Sequence, residues 1–317
     1  MSIVFTVLFV VILIVTGILT AGWVFTRSTD KKIEREFQPP GSFTPVSGGE
    51  IHYTQQGSGP ALILIHGLAG NALNFSRLAT LLSEHYTVYC IDRPGSGFST
   101  RNNTTSASFE VQSRMILEWM SKVGIDEAYI AGHSMGGAIS LRLALDAPEK
   151  IKAITLLAAL TVPSKEGAGP LTSLYIPNAS LRRLIANTIA SPLRIKWGTQ
   201  LMDKIFYPEK VPLDFASKDG GALALHSSNF YHASCDIVAS ISSLYKQFKQ
   251  YNMISCPLGI LYGTDDAILN PSTHMPYITQ SCPNSVAETI PNAGHMLPVT
   301  QPKACVAFIN KVNGVTQ

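Results

Sequence analysis

The sequence predicts an α/β fold, with a mostly parallel sheet flanked by helices and a transmembrane helix at the N-terminus. Three observations carry this prediction. After residue 42, short apolar runs typical of buried strands alternate with stretches of helical periodicity. A glycine-rich turn at 132–137 joins one such strand to one such helix. Residues 2–26 are mostly apolar and contain no charged side chain.

Residues 1–26 are predicted to form a single-pass membrane anchor, because about 20 apolar residues span a bilayer. A cleaved signal peptide is the alternative, but no basic residue precedes the apolar core and no small-residue cleavage site follows it. We expect residues 27–41 to form a linker. Its basic residues favour a cytoplasmic location for the rest of the chain under the positive-inside rule. They are Arg27, Lys31, Lys32 and Arg35.

The body of the chain begins with two short extended runs joined by a glycine turn, which predict a hairpin at 43–55. Strands and helices then alternate as far as residue 160. From 161 to 236 this alternation stops, and prolines and short amphipathic runs take its place. Further predicted strands cover 61–66, 87–91, 127–131, 152–160, a run beginning at 257, and 285–290; predicted helices cover 71–83, 107–123 and 134–147.

Ser134 lies in a Gly-x-Ser-x-Gly motif between a predicted strand and a predicted helix. This context raises a serine hydroxyl at the tip of a sharp turn, where the backbone is strained. A side chain at Gly132 or Gly136 would collide with the adjoining strand and helix. A serine nucleophile also needs a base, and the base needs an orienting acid.

Candidate acids and a candidate base follow two later strands. Asp265 and Asp266 lie in the turn after the run that begins at 257, and His295 follows the strand at 285–290. Ligands of open α/β sheets bind at the carboxyl ends of strands, where both sets fall. The strand pattern leaves the choice between the two aspartates open. Other histidines are expected to make structural polar contacts: His66, His133, His226, His232 and His274.

With these motifs the chain resembles the α/β-hydrolase superfamily, in its capped serine esterase and lipase-like branch. The resemblance covers about residues 42 to 312 and includes the His66–Leu68 segment and the Asp92–Gly97 turn. It implies a helical cap inserted after the sixth strand, at 161–236. The core then comprises 42–160 and 237–317.

The resemblance also assigns roles. The family's Gly-x-x-Asp pattern selects Asp266 rather than Asp265, and gives Ser134 as nucleophile and His295 as base. The backbone N–H groups of Met135 and Leu68 would hold the oxyanion. Substrate-binding residues are expected in the cap, but the sequence does not single them out.

These features predict a serine hydrolase that cleaves carboxylic esters with apolar acyl groups, including lipids, through an acyl-enzyme. A C–C bond hydrolase, an amidase or a perhydrolase could use the same triad. A non-catalytic ligand-binding protein on the same fold is the alternative from another class. Dehalogenases and epoxide hydrolases are disfavoured because they have Asp at the position of Ser134.

Composition excludes several other functions. The net charge of +3 and the absence of a long basic run argue against nucleic-acid binding. Phosphate-loop, His-Glu-x-x-His and Cys-x-x-Cys patterns are missing, so we expect neither a cofactor nor a metal. Five cysteines without a regular spacing favour free thiols. The sequence does not predict an oligomeric state.

Overall fold

The computed structural model describes residues 3–163 and 169–315, and within them nine strands form one sheet. The sheet order is β1-β2-β4-β3-β6-β7-β8-β9, with β5 paired to β2. The strands from β4 to β9 along this order run parallel to one another. Strand β2 is antiparallel to both of its neighbours in the order, β1 and β4. The strands are β1 (Ser42–Val46), β2 (Gly49–Gln56), β3 (Ala61–Ile65), β4 (Thr87–Ile91), β5 (Thr100–Arg101), β6 (Ala128–His133), β7 (Ile151–Leu157), β8 (Leu258–Gly263) and β9 (Val286–Ile290).

Helices lie along the sheet, as the alternating pattern predicts, and the central strands are buried. Strand β3 reads Ala-Leu-Ile-Leu-Ile, and its last four residues are inaccessible to solvent. Such continuous apolar runs are typical of parallel strands covered on both faces. The helices are α1 (Ile3–Glu36), α2 (Ser76–Leu82), α3 (Phe109–Lys122), α4 (Met135–Asp146), α5 (Ala179–Thr188), α6 (Ala190–Phe206), α7 (Ser227–Gln247), α8 (Pro271–Ser281), α9 (Leu297–Thr300) and α10 (Pro302–Asn313).

The predicted cap region, residues 161–236, contains α5, α6 and the first part of α7. Helix α7 continues without a break past the predicted boundary at 236, so one helix joins this region to the core. The cap region follows β7, which is the predicted sixth strand; it is numbered seventh here because the two-residue strand β5 was not predicted. Parts of the predicted anchor, cap and core lie outside the described residues: 1–2, 164–168 and 316–317.

Helix α1 extends through most of the expected linker and ends at Glu36. Its polar C-terminal part is helical because one face packs against the cap region. Thr26 donates a hydrogen bond to the Thr188 carbonyl at 3.0 Å. The Asp30 carboxylate accepts hydrogen bonds from the N–H and the hydroxyl of Ser227, at 2.9 and 2.7 Å. The segment between α1 and β1 therefore spans residues 37–41 and is shorter than the linker expected at 27–41.

Candidate active site

Ser134 lies at the junction of β6 and α4 with a backbone φ of 53°, a left-handed conformation that non-glycine residues rarely adopt. Small neighbours make this turn possible. A Cβ atom at Gly132 would meet the Gly136 carbonyl, and one at Gly136 would meet the carbonyls of Ile65 and His66. The collisions expected from the sequence are therefore present, and the strain at Ser134 is confirmed. The turn presents the serine at the carboxyl edge of the sheet.

His295 and Asp266 form a buried pair beside this turn. The His295 Nδ1–H donates to Asp266 Oδ2 at 2.8 Å. The other carboxylate oxygen accepts the backbone N–H groups of Ile268 and Leu269, at 2.8 and 2.9 Å. Burial alone would raise the pKa of Asp266, but His295 and these hydrogen bonds hold its pKa below the ordinary value. The neighbouring Asp265 is exposed and accepts a hydrogen bond from Thr264.

The structure brings Ser134 and His295 into one cavity, although among the described residues no hydrogen bond joins their side chains. Catalytic hydrogen bonds are often long before substrate binds. Leu68 lines this cavity too, and Met135 lines an adjoining one that also contains Ser134. Neither backbone N–H of these two residues has an acceptor within the described ranges. All five predicted site residues therefore lie around one point on the sheet.

Two further histidines support the site. The His133 Nε2–H donates to the His295 carbonyl at 2.9 Å. Burial, together with the nearby His295, lowers the pKa of His133 to about 3, so this ring is neutral at physiological pH. His66 Nδ1–H donates to the Gly67 carbonyl at 2.8 Å, and His66 Nε2 accepts the Arg93 backbone N–H at 3.0 Å. The structural contacts expected of both histidines are confirmed.

Arg93 is a residue that sequence reasoning missed. Its guanidinium is fully buried and donates to the carbonyls of His66 and Gly67, at 3.0 and 3.1 Å. It also donates to Asp236 Oδ2 on α7 at 2.8 Å. A second guanidinium, Arg101, lies 2.8 Å from the other oxygen of Asp236, without the alignment of a hydrogen bond. This cluster ties the loop before Leu68 to α7.

Three cavities lie at Ser134 or in the cap region, and two of them are lined by Ser134. The histidine-side cavity, about 90 Å³, is lined by Ser134, His295 and Arg194. The α7-side cavity, about 490 Å³, is lined by Ser134, Leu160 and apolar α7 residues such as Ile237. The outer cavity, about 530 Å³, lies between α5 and α6 and shares Arg194 with the histidine-side cavity.

A strained serine on a strand–helix turn and a buried Asp–His pair, on this sheet order, define an α/β hydrolase. The chain belongs to the alpha/beta hydrolase fold family, whose model matches residues 60–302. The predicted fold class and family resemblance are thereby confirmed. The family and its relatives indicate a hydrolase.

Individual relatives are distant. The chain is 27% identical over 266 residues to Lipase 1 of Psychrobacter immobilis, covering 80% of this chain and 78% of that one. It is 34% identical over 145 residues to the dihydrolipoyllysine-residue acetyltransferase component of the acetoin cleaving system of Cupriavidus necator. That match covers 45% of this chain and only 38% of the relative.

Among solved structures, one described as a membrane phospholipase A has a TM-score of 0.66 and 20% identity. The match covers 98% of this chain and 99% of the other. At this identity, the likeness shows a shared fold.

Proposed function

We propose that the protein is a serine hydrolase that cleaves carboxylic esters through an acyl-enzyme. The observation that carries this proposal is Ser134, held in a strained turn and sharing a cavity with the Asp266-paired His295. His295 Nε2 accepts the serine proton during attack and returns it to the leaving alcohol. Asp266 fixes the proton on Nδ1 and stabilises the imidazolium.

The N–H groups of Leu68 and Met135 supply the oxyanion hole in this mechanism. Both lack an acceptor within the described chain, and both residues line a cavity with Ser134. The Met135 N–H also begins α4, where helix N–H groups have no intrahelical partner and favour negative charge. Donors aimed at the developing oxyanion commonly supply the largest stabilisation in acyl transfer.

The acyl group is proposed to lie in the α7-side cavity. No charged side chain is among its described lining residues, and most of them are apolar. The similarity to Lipase 1 of Psychrobacter immobilis supports an ester with an apolar acyl group. Leu174 and Phe230 are large buried apolar residues of the cap region. They line the outer cavity and are not among the described residues that line the α7-side cavity.

Labelling with a fluorophosphonate probe tests the proposal. An activated serine reacts covalently, so we expect the protein to label and Ser134→Ala to lose the label. An inert serine in a folded protein would instead indicate a ligand-binding protein. Turnover of amides, peracid formation or C–C bond cleavage at rates above those for short esters would favour one of the other hydrolytic reactions.

A substitution on α7 tests the acyl assignment. Ser240 is buried and lines the α7-side cavity, whereas Ser242 on the same helix is exposed. We expect Ser240→Phe to lower kcat/KM for octanoyl relative to acetyl esters, by about fourfold for each methylene that the ring excludes, since each buried methylene contributes about 0.8 kcal/mol. Ser242→Phe is the matched control and should keep the wild-type profile. Identical chain-length profiles for both variants would mean that the acyl group binds outside the α7-side cavity.

We also infer that α1 anchors the protein in a membrane. The helix is long and apolar enough to cross one: its 34 residues extend roughly 50 Å, and a hydrocarbon core is about 30 Å thick. Its first half is exposed on every side; Ile3 and Ile18, for example, are 83% and 59% exposed. Apolar residues exposed all round a helix match a lipid environment.

Truncation tests the anchor. Because Gly22 and Thr26 contact the cap region, the cut belongs before them. We expect removal of residues 1–18 to shift the protein from the membrane pellet to the soluble fraction with ester turnover retained. Removal of 1–36 also deletes the Asp30 contacts and should lower the melting temperature. Full-length protein in the soluble fraction, or a mature N-terminus near residue 22, would contradict the anchor. Protease treatment of sealed vesicles tests the proposed cytoplasmic location.

A further inference from the structure

Arg194 on α6 is a cation that the proposed mechanism does not use. It lines both the histidine-side cavity and the outer cavity. Its guanidinium lies over the Phe230 ring, 5.4 Å from the ring centroid, and donates to the Ala224 carbonyl. Within the described ranges, no carboxylate pairs with it. Four of the five guanidinium N–H donors are therefore left for other acceptors.

The charged side chains that line these cavities are all basic. Among the described lining residues of the three cavities there is no Asp or Glu, and Lys204 in the outer cavity is a second cation. Burial lowers the pKa of Arg194 to about 10, which still leaves it charged at neutral pH. Arg194 is partly buried. Partial burial of a cation without a counter-ion is unfavourable, so a bound anion would relieve that penalty.

The proposed reaction divides the substrate between the cavities. His295 must reach the leaving oxygen to protonate it, so the alcohol part lies on the side where His295 is exposed to the cavity. His295 lines the histidine-side cavity but is not among the residues that line the α7-side cavity. The alcohol part therefore lies in the same cavity as Arg194. A larger alcohol part would extend past Arg194 into the outer cavity.

We propose that Arg194 binds a phosphate or carboxylate carried by the alcohol part of the ester substrate. A guanidinium presents parallel N–H donors that match both anions. This inference rests on the proposed ester hydrolysis and narrows its substrates to esters of anionic alcohols. In the reaction Ser134 Oγ bonds to the acyl carbon as the ester C–O bond breaks, and His295 passes the serine proton to the leaving oxygen. The alcohol leaves with its anion still on Arg194, and water then hydrolyses the acyl-enzyme to free the acid and Ser134.

Two matched substrates test the assignment: hexanoate esters of a nitrophenol whose ring carries either a carboxylate or a neutral carboxamide. The measured quantity is the ratio of kcat/KM for the anionic ester to that for the neutral ester. This ratio does not depend on how much of a variant is folded. We expect the wild type to favour the anionic ester and Arg194→Met to lower the ratio by about 10- to 100-fold, the range for a hydrogen bond to a charged group.

Two further variants refine the test. Arg194→Lys keeps the positive charge but lacks the parallel N–H donors of the guanidinium, so it should give an intermediate ratio. Lys196→Gln removes the same charge from an exposed position of the same helix and should leave the ratio unchanged. A loss in Lys196→Gln equal to that in Arg194→Met would reduce the effect to general surface charge and overturn the assignment.

The remaining outcomes separate this inference from the proposed function. Cleavage of both esters with an equal ratio in wild type and Arg194→Met would overturn the anion site and leave ester hydrolysis intact. Cleavage of neither ester would overturn both. Inorganic phosphate serves as the free anion: inhibition by phosphate that requires Arg194, without preference for the anionic ester, would mean that the site takes a free anion and not a substrate group.

Discussion

Asp266→Asn is expected to lower kcat by about 10⁴, the effect that follows when an orienting carboxylate is replaced and the imidazole adopts the wrong tautomer. The contacts of Asp266 explain why. One oxygen accepts two backbone N–H groups, so the Asn oxygen takes that position and its amide faces His295. An amide N–H there requires Nδ1 to accept, which moves the proton to Nε2. Nε2 then cannot accept the proton of Ser134.

Asp265→Asn is the matched control, because it makes the same change at the next residue. Its side chain is exposed and bonds only to Thr264 among the described residues, so we expect a change in kcat within about twofold, as for most surface substitutions. The assay is turnover of a short nitrophenyl ester by both variants, with melting curves to establish that each is folded. A severe loss in Asp265→Asn with a nearly normal Asp266→Asn would reverse the assignment.

The strands, the turn at Ser134 and the edge at which the site lies could be predicted from the sequence because their signals are local. Apolar runs fix the buried strands, and two glycines two residues from Ser134 on either side permit the turn. The choice between Asp265 and Asp266 is different. Adjacent residues of one turn point in different directions, and only the turn's path sets which carboxylate meets His295. The resemblance to a known family, not the residue pattern, selected Asp266.

The features that the sequence did not reveal depend on distant partners. The contact of Arg93 with Asp236 joins residues 143 positions apart, and the contact of Asp30 with Ser227 joins residues 197 apart. The sequence around Arg93 and Arg101 does not distinguish these buried arginines from arginines exposed to solvent. The linker expected at 27–41 is helical as far as Glu36, because this part of α1 packs against the distant cap region.

These long-range contacts place the cap region between two attachments. On one side α1 is hydrogen-bonded to the ends of α5 and α7 through Thr26 and Asp30. On the other, Asp236 of α7 holds Arg93, which also bonds the His66 and Gly67 carbonyls. The loop that precedes the Leu68 N–H is therefore joined to α7 by one buried side chain. The second attachment can be tested by its effect on stability.

Asp236→Asn is expected to lower the free energy of unfolding by about 3–5 kcal/mol, the usual cost of removing one partner from a buried ion pair. Asp236 is fully buried and is the carboxylate that faces both Arg93 and Arg101. Its replacement leaves two guanidinium groups in the interior with a neutral amide between them. The measurement is urea unfolding followed by tryptophan fluorescence.

The control is Asp214→Asn, which breaks the ion pair between Asp214 in the cap region and Arg77 on α2. Both side chains of that pair are 36% exposed, and solvent-exposed pairs contribute about 0–1 kcal/mol. The same chemical change should therefore cost several kcal/mol less at 214 than at 236. Equal losses at the two positions would mean that water reaches the Arg93 cluster and that burial does not make Asp236 indispensable. A large loss confined to Asp236 would establish that the junction between α7 and the loop before Leu68 depends on this buried charge.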